Sequence, residues 1–175
     1  SYFTPGPAAV FHYNPWIHKL PESHNGSSGL SRNPSDFNSG ASDFIVSLGG
    51  WTNSNAGSHR HQAGTFMHEL GHNLGLRHGG TDEFNYKPSY LSVMNYAFQT
   101  DGLIKNQSQG NFDYSRTKLA DLNENALIEP IGVITNTNTI IYGTSWFCGL
   151  NNLRLVNDAS SIDWDCSGTI TNTQV

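Results

Sequence analysis

The chain has 175 residues and a formal net charge of −5 at pH 7, and charged residues make up only 13% of it. Its length is typical of one domain that buries its own core. No basic stripe and no long apolar run is present, so we expect neither a nucleic-acid partner nor a membrane partner. Uncharged polar residues are abundant and there are only four lysines. This composition indicates an extracellular, secreted protein, which we expect to be a monomer.

Two cysteines, Cys148 and Cys166, are the only ones in the chain. Their even number and their late position predict one disulfide that closes a loop near the C-terminus. Two unrelated buried thiols are the alternative, which is less typical of a secreted protein. With no other cysteine available, a metal site would have to be built from histidines and carboxylates.

The first half of the chain contains two predicted strands and one predicted helix. Five prolines break residues 1–40 into short segments. Val10–Tyr13 and Asp43–Leu48 are the strand candidates, and the second of them ends at two glycines. The helix is expected to begin after Ser58 as N-cap, to end at about Leu74 before a C′ glycine, and to bury one apolar stripe. The stripe consists of Ala63, Phe66, Leu70 and Leu74.

The second half of the chain is rich in loops. A second helix is predicted over Ser115–Leu127 from the spacing of its leucines and alanine. The β-branched residues of Ile131–Gly143, with Asn-Thr-Asn in the middle, predict a hairpin.

The chemistry of the chain is concentrated in one motif, His-Glu-Leu-Gly-His-Asn-Leu-Gly-Leu-Arg-His, at positions 68–78. His68 and His72 are four residues apart on the predicted helix, so that both imidazoles project from one face. Gly75 ends the helix and lets the chain return with His78. Three neutral imidazoles and an open fourth position are typical of a catalytic zinc site, whereas structural sites close all four positions. Glu69 lies beside this site.

This motif resembles the zinc signature of the metzincin metallopeptidases. A second feature of that family, a methionine-containing turn beneath the metal, is matched by Ser-Val-Met-Asn-Tyr at positions 92–96. The resemblance implies that Met94 supports the metal site. It also implies that Tyr96 approaches the zinc ion and stabilises the oxyanion. A buried tyrosine bonded to backbone is the alternative for Tyr96.

The resemblance implies an α+β fold with a twisted, mostly parallel sheet, a zinc helix above the cleft, and an irregular lower subdomain with one helix. Residues 1–175 would then form one catalytic domain, with residues 1–78 as the upper subdomain and 79–175 as the lower subdomain. Only 67 residues precede His68, fewer than most family members have, so the chain is either a compact version or a fragment of a longer precursor. Gly79 and Gly80 follow the third histidine, where several metzincin subfamilies carry a diagnostic larger or charged residue. The subfamily is therefore left unassigned.

The activity implied is that of a secreted zinc endopeptidase acting on peptides or proteins. Zinc would activate a water molecule, Glu69 would act as general base, and Tyr96 would help to hold the oxyanion. The strand at Asp43–Leu48 would pair with the substrate as a sheet edge, and Ala97–Gly102 would form a wall of the specificity pocket. Two alternatives stay open: a zinc amidase acting on a non-protein amide, and a non-catalytic binding or adhesion module. A degenerate site usually loses its base, and Glu69 is present.

The C-terminal tail resembles the first part of a calcium-binding loop. Position 6 of the loop is a glycine, but position 12 is Gln174 where an acidic residue would be needed. A polar turn held by Cys166 is the alternative. Five further histidines have no partner at ligand spacing, and we assign no metal to them: His12, His18, His24, His59 and His61. The oxygen ligands of the calcium loop would be Asp163, Asp165, Ser167 and Thr169.

Overall fold

The computed structural model describes residues 11–24, 26–32, 43–49, 51, 56–133, 140–172 and 174–175. Within these ranges the chain has the α+β fold expected from the sequence, with small sheets and few helices. No helix of the described part is long and apolar enough to cross a membrane. The strands are β1 (Trp16–Ile17), β2 (Gly29–Ser31), β3 (Phe44–Ser47), β4 (Leu103–Lys105), β5 (Ser108–Asn111), β6 (Thr144–Phe147) and β7 (Leu153–Val156). The helices are α1 (His59–Asn73) and α2 (Tyr96–Gln99), with 3₁₀ turns at Glu22–His24 and Glu129–Ile131.

The largest described sheet has the strand order β1-β3-β2. β1 runs parallel to β3 and β2 runs antiparallel to it, so the described sheet is mixed, narrower than the mostly parallel sheet expected. The predicted strand at Asp43–Leu48 is confirmed as β3, but its predicted role as a sheet edge is wrong. β3 pairs with β1 on one side and β2 on the other, so β2 is an edge strand of the described sheet. The buried apolar residues of the predicted strand are Phe44, Val46 and Leu48.

Helix α1 begins and ends where the sequence predicts. The side chain of Ser58 accepts a hydrogen bond from the backbone N–H of His61, and the imidazole of His61 accepts one from the backbone N–H of Ser58, which makes a reciprocal cap. At the other end Gly75 adopts φ 87°, the left-handed conformation that ends many helices.

The face that α1 buries differs from the predicted apolar stripe. Phe66 and Leu74 are 37% and 56% exposed, and Ala63 is exposed as well. Leu70 packs against the core cluster of β3, and the ring of Phe66 lies edge-on to Phe44 of that cluster, with 5.2 Å between the centroids. The stripe prediction is wrong in part, because glycines on another face let the segments of Gln99 and Met94 approach the helix. Glu69 and Asn73 are buried against β2 and the start of β3. The buried residues of α1 are Gly64, Thr65, His68, Glu69, Gly71 and Asn73.

The helix predicted over Ser115–Leu127 is absent. The side chain of Asn123 accepts a hydrogen bond from the N–H of Asn125, and its carbonyl accepts one from Ala126. Leu127 exchanges two backbone hydrogen bonds with Val175. These local and tail contacts replace the helical ladder, as polar side chains that bond to nearby backbone often do.

Two further predictions meet the limits of the described residues. Val10 lies outside them. Phe11–Tyr13 form no strand, although the carbonyl of Tyr13 accepts a hydrogen bond from the N–H of Phe44 at 3.1 Å; β1 itself begins at Trp16, after Pro15, which has no N–H to donate. Residues 134–139, the middle of the predicted hairpin, also lie outside them. The tail contains the predicted disulfide, with the Cα atoms of Cys148 and Cys166 5.9 Å apart.

Candidate metal centre and substrate cleft

Helix α1 and the turn that follows it bring three imidazoles together. Nε2 of His72 lies 3.1 Å from Nε2 of His68 and 3.2 Å from Nε2 of His78. Ligand atoms of all three residues lie within 4.8 Å of one another. Two nitrogens bound to one tetrahedral zinc ion, each about 2.0–2.1 Å from it, are about 3.3 Å apart. The spacing of the three nitrogens therefore fits a single zinc ion.

The opposite nitrogen of each imidazole contacts an oxygen acceptor. Nδ1 of His68 donates to the carbonyl of Val93 at 2.8 Å, and Nδ1 of His72 donates to the carbonyl of Leu76 at 2.9 Å. Nδ1 of His78 donates to a carboxylate oxygen of Glu83 at 2.8 Å. A proton fixed on Nδ1 leaves the lone pair on Nε2, so these three acceptors prepare the nitrogens that face one another to bind a metal.

Burial keeps two of the imidazoles neutral. Burial lowers the pKa of His68 to about 3, and the neighbouring imidazoles add to this effect. Burial also lowers the pKa of His72. Neutral imidazole is the form that binds a metal ion, so the donor set suits zinc chemically as well as geometrically.

The methionine turn lies directly against the zinc helix. Met94 is fully buried, and a Cβ at Gly71 would come within 2.2 Å of its sulfur atom. Only glycine at position 71 therefore lets the turn pack against α1 between two of the histidines. Because the same turn supplies the carbonyl of Val93 to His68, it supports the imidazoles through both packing and hydrogen bonding.

Glu69 is buried on the same helix and faces the edge strand β2. A Cβ at Gly29 would lie 2.6 Å from Cγ and 2.7 Å from Oε1 of Glu69, so the carboxylate packs against bare backbone. Burial raises the pKa of Glu69 to about 8. A divalent cation nearby would oppose this rise in the pKa of Glu69, because positive charge stabilises the carboxylate form.

Tyr96 is the first residue of α2 and lies over the imidazoles. Its ring centroid is 4.7 Å from that of His78 and 5.5 Å from that of His68. Burial and the charge of Glu69 raise the pKa of its hydroxyl, which therefore stays protonated as a hydrogen-bond donor. Asn85 accepts a hydrogen bond from the backbone N–H of Tyr96 at 2.7 Å and so fixes the start of α2.

A cavity of about 470 Å³ opens beside these groups. Gln99 and Thr100, from the segment expected to wall a specificity pocket, form one side of it. Ser28 and Gly29 form the other side, and the amide nitrogen of Gln99 donates to the hydroxyl of Ser28 at 3.0 Å. This buried hydrogen bond joins the edge strand to the wall segment across the cavity.

Sequence reasoning missed Glu83 and the edge strand. Glu83 follows His78 by five residues and belongs to no motif, and the three-residue strand β2 is too short to give an alternating pattern. Met94 and Tyr96, which the resemblance to the metzincins placed near the zinc motif, lie against Gly71 and over the imidazoles. Of the other histidines, none joins a group that could hold a metal ion in the described part of the chain.

The group of possible metal ligands found in the tail differs from the calcium loop that the sequence predicts. Oxygens of Asp163 and Asp165 lie near those of the buried Glu129, which has no signal in the sequence. The carboxylates already accept backbone hydrogen bonds: Ser167 and Gly168 donate to Asp163, and Thr171 donates to Glu129. Ser167 donates its own hydroxyl to the carbonyl of Thr169. The calcium site stays a prediction.

Comparison with known families agrees with this geometry. Residues 9–79 match the family model described as Metallo-peptidase family M12B Reprolysin-like. The comparisons with curated proteins and with solved structures each find no match. The matched segment contains β1, β2, β3, α1 and all three histidines of the metal centre. Over residues 9–79 the chain is thus similar to the reprolysin-like metallopeptidases, which confirms the resemblance to the metzincins.

Proposed function

We propose that this chain is a secreted, zinc-dependent endopeptidase. The observation that carries the proposal is the convergence of three Nε2 atoms, each held by an acceptor on Nδ1, with a buried carboxylate beside them at an open cleft. The family match supports a metallopeptidase, and the disulfide supports an extracellular location. The division into subdomains at residues 78 and 79 stays a prediction.

Zinc would be held by His68, His72 and His78, and when bound it makes a water molecule acidic and polarises a carbonyl group. Glu69 accepts the proton of the attacking water and then donates it to the nitrogen of the leaving amine. Its packing against Gly29 keeps the carboxylate in one place during both transfers. The first transfer leaves Glu69 protonated, and the second returns it to the carboxylate with which the cycle began.

The substrate is proposed to bind as an added strand on the edge of β2 that pairs with no other strand among the described residues. Backbone pairing of this kind gives affinity with little sequence preference. It also lays the chain across the cavity that contains Glu69. Tyr96 lies on the other side of the cavity, where its protonated hydroxyl donates to the oxyanion that forms on the scissile carbonyl. An open cleft beside a free strand favours an extended peptide over a small amide.

The test compares wild-type protein with Glu69→Gln, and uses Glu124→Gln as the matched control because Glu124 is exposed and far from the motif in sequence. Glu69→Gln is expected to keep about one equivalent of zinc and to lose about 10²–10⁴-fold in casein cleavage. His72→Ala is expected to lose zinc. Glu124→Gln is expected to retain both zinc and activity.

Three outcomes would contradict the proposal in different places. Loss of zinc from Glu69→Gln would make Glu69 a ligand. Cleavage of casein by Glu69→Gln at the wild-type rate would assign the general base to another residue. Wild-type protein that binds zinc and cleaves no peptide would favour the amidase if it hydrolyses acetylated amines, and the binding module if it hydrolyses neither.

A further inference from the structure

A second cavity, of about 240 Å³, adjoins the cleft. Gly26, Ser27 and Trp51 line both cavities, so the two share a boundary. A substrate chain that leaves the cleft past this boundary enters the second cavity. Neither the zinc site nor the proposed mechanism uses this space.

Three of the side chains that line the second cavity are basic. Lys19 brings an ammonium group, and His18 and His24 bring ring N–H donors. No carboxylate lines the cavity in the part of the chain that the structure describes, although Glu22 lies in the same 3₁₀ turn as His24. A group of hydrogen-bond donors with positive charge, on a protein with a net charge of −5, is suited to a carboxylate.

The backbone around this cavity is fixed. Gly49 donates its N–H to the carbonyl of His18 at 2.7 Å, and a Cβ at Gly49 would come within 2.6 Å of Nδ1 of His18, so the imidazole rests on this glycine. The turn with His24 is closed by hydrogen bonds from His24 to Pro21 at 2.9 Å and from Ser27 to His24 at 3.1 Å. The backbone that presents His18 and His24 is thus fixed by these bonds.

The distance to the cleaved bond follows from the register of β2. Gly29 packs against Glu69, and Ser27 and Gly26 lie two and three residues before it. At about 3.3 Å per residue Ser27 is about 7 Å from the reacting carbonyl along the extension of β2, and the chain turns there toward His24. An antiparallel substrate, the more stable pairing, runs toward its own C-terminus in this direction.

We propose that the second cavity is a subsite for an acidic residue of the substrate, two or three positions to the C-terminal side of the cleaved bond. The side-chain carboxylate of Asp or Glu there would accept hydrogen bonds from Lys19 and from the two imidazoles. This inference rests on the proposed peptidase function and adds a preference to it.

The experiment uses two pairs of quenched fluorescent peptides; within a pair the peptides differ only in Glu or Gln, at the second position after the cleaved bond in one pair and at the third in the other. Wild-type protein is expected to favour the Glu peptide of at least one pair by about 3- to 10-fold in kcat/KM, mainly through KM. Lys19→Met and His24→Gln are each expected to lower this ratio. Lys118→Met, which removes the same charge from an exposed residue paired with Asp121, is the matched control and is expected to leave the ratio unchanged.

Binding of the same peptides to the Glu69→Gln variant, followed by fluorescence anisotropy, separates this inference from the proposed function. If wild-type protein cleaves none of the peptides, the peptidase proposal fails, and the ratio of the two Kd values within a pair still decides on the subsite. Equal treatment of the Glu and Gln peptides in both pairs would overturn the inference, and so would a Glu preference that Lys19→Met and His24→Gln leave intact. An equal loss in Lys118→Met would assign the preference to overall charge.

Discussion

Glu83 accepts a hydrogen bond from Nδ1 of His78 at 2.8 Å, and its side chain is 61% exposed. The other two imidazoles donate to backbone carbonyls, so His78 is the one whose orientation depends on a side chain. The loop that holds Glu83 is closed by an ion pair between Lys87 and Asp82 at 2.6 Å. Glu83 is therefore a positioning residue for the proposed zinc ligand.

Glu83→Ala is expected to weaken zinc binding by about 10- to 100-fold, the usual effect of losing such a partner. Glu83→Gln keeps an oxygen acceptor and is expected to recover part of the loss. Zinc affinity is measured by competition with a chromogenic chelator, which requires no activity. Asp121→Ala, which removes an exposed carboxylate elsewhere, is the control. Equal affinity in Glu83→Ala and wild type would show that His78 needs no such partner.

Tyr96→Phe tests the proposed oxyanion contact. The ring and its packing on the imidazoles remain, so zinc content and Tm should stay near the wild-type values. The rate of peptide cleavage is expected to fall by about 10- to 1000-fold, the range for losing one oxyanion donor. Because the contact forms chiefly in the transition state, kcat should carry the loss while KM stays constant. Wild-type turnover would reduce Tyr96 to a packing role.

Gly29→Ala tests whether the carboxylate of Glu69 needs bare backbone beside it. The added methyl group would lie within 2.7 Å of Oε1 and also within 2.6 Å of the carbonyl of Ile45, so the carboxylate must shift. A displacement of about 1 Å lowers catalytic rates by up to about 100-fold. We expect a loss of this size in kcat with zinc still bound, measured alongside Tm. A variant that unfolds at the same temperature and cleaves at the wild-type rate would contradict this geometry.

The disulfide should stabilise the tail mainly by restricting the unfolded chain. Cys148 and Cys166 are 18 residues apart, and a loop of this size contributes ~3 kcal/mol to the free energy of unfolding. Replacing both by serine is expected to lower the midpoint of urea unfolding without removing zinc. Two thiols that react with an alkylating agent in the native protein, without reductant, would disprove the bridge.

Tyr114 should make the protein sensitive to alkaline pH. Its hydroxyl donates to the carbonyl of Met67 at 2.6 Å, and burial raises its pKa from 10.0 to about 12. The unfolded chain therefore loses this proton first, so the contribution to stability is complete below pH 10 and disappears as pH rises toward 12. Urea unfolding in this window should show a smaller pH dependence for Tyr114→Phe than for wild type. Equal slopes would contradict the prediction.

The metal centre could be predicted because its residues follow the period of one helix. The spacing of four residues from His68 to His72 places two ligands on one face, and Gly75 allows the return of His78. The partners on Nδ1 could not be predicted, because Val93 and Leu76 act through their carbonyls. Any residue type provides a backbone carbonyl, so only the path of the chain decides which one is used.

The errors in the fold prediction arise where contacts distant in sequence decide the structure. The leucines of Ser115–Leu127 have helical spacing, yet Leu122 packs on the core of the tail and Leu127 pairs with Val175. On α1 the apolar residues suggested the buried face, but glycines decided it by admitting Met94 and the backbone of Gln99. Neither contact has a signature in a local pattern.

The contact between Gly71 and Met94 also limits how this chain can change. No atom fits between helix α1 and the methionine turn, so a larger residue at either position forces the other segment to move and carries the carbonyl of Val93 away from His68. The two segments are separated in sequence but behave as one mechanical part. Transfer of this metal centre to another scaffold would require positions 68–78 and 92–96 together, and neither segment alone would hold the three nitrogens at the spacing that one ion needs.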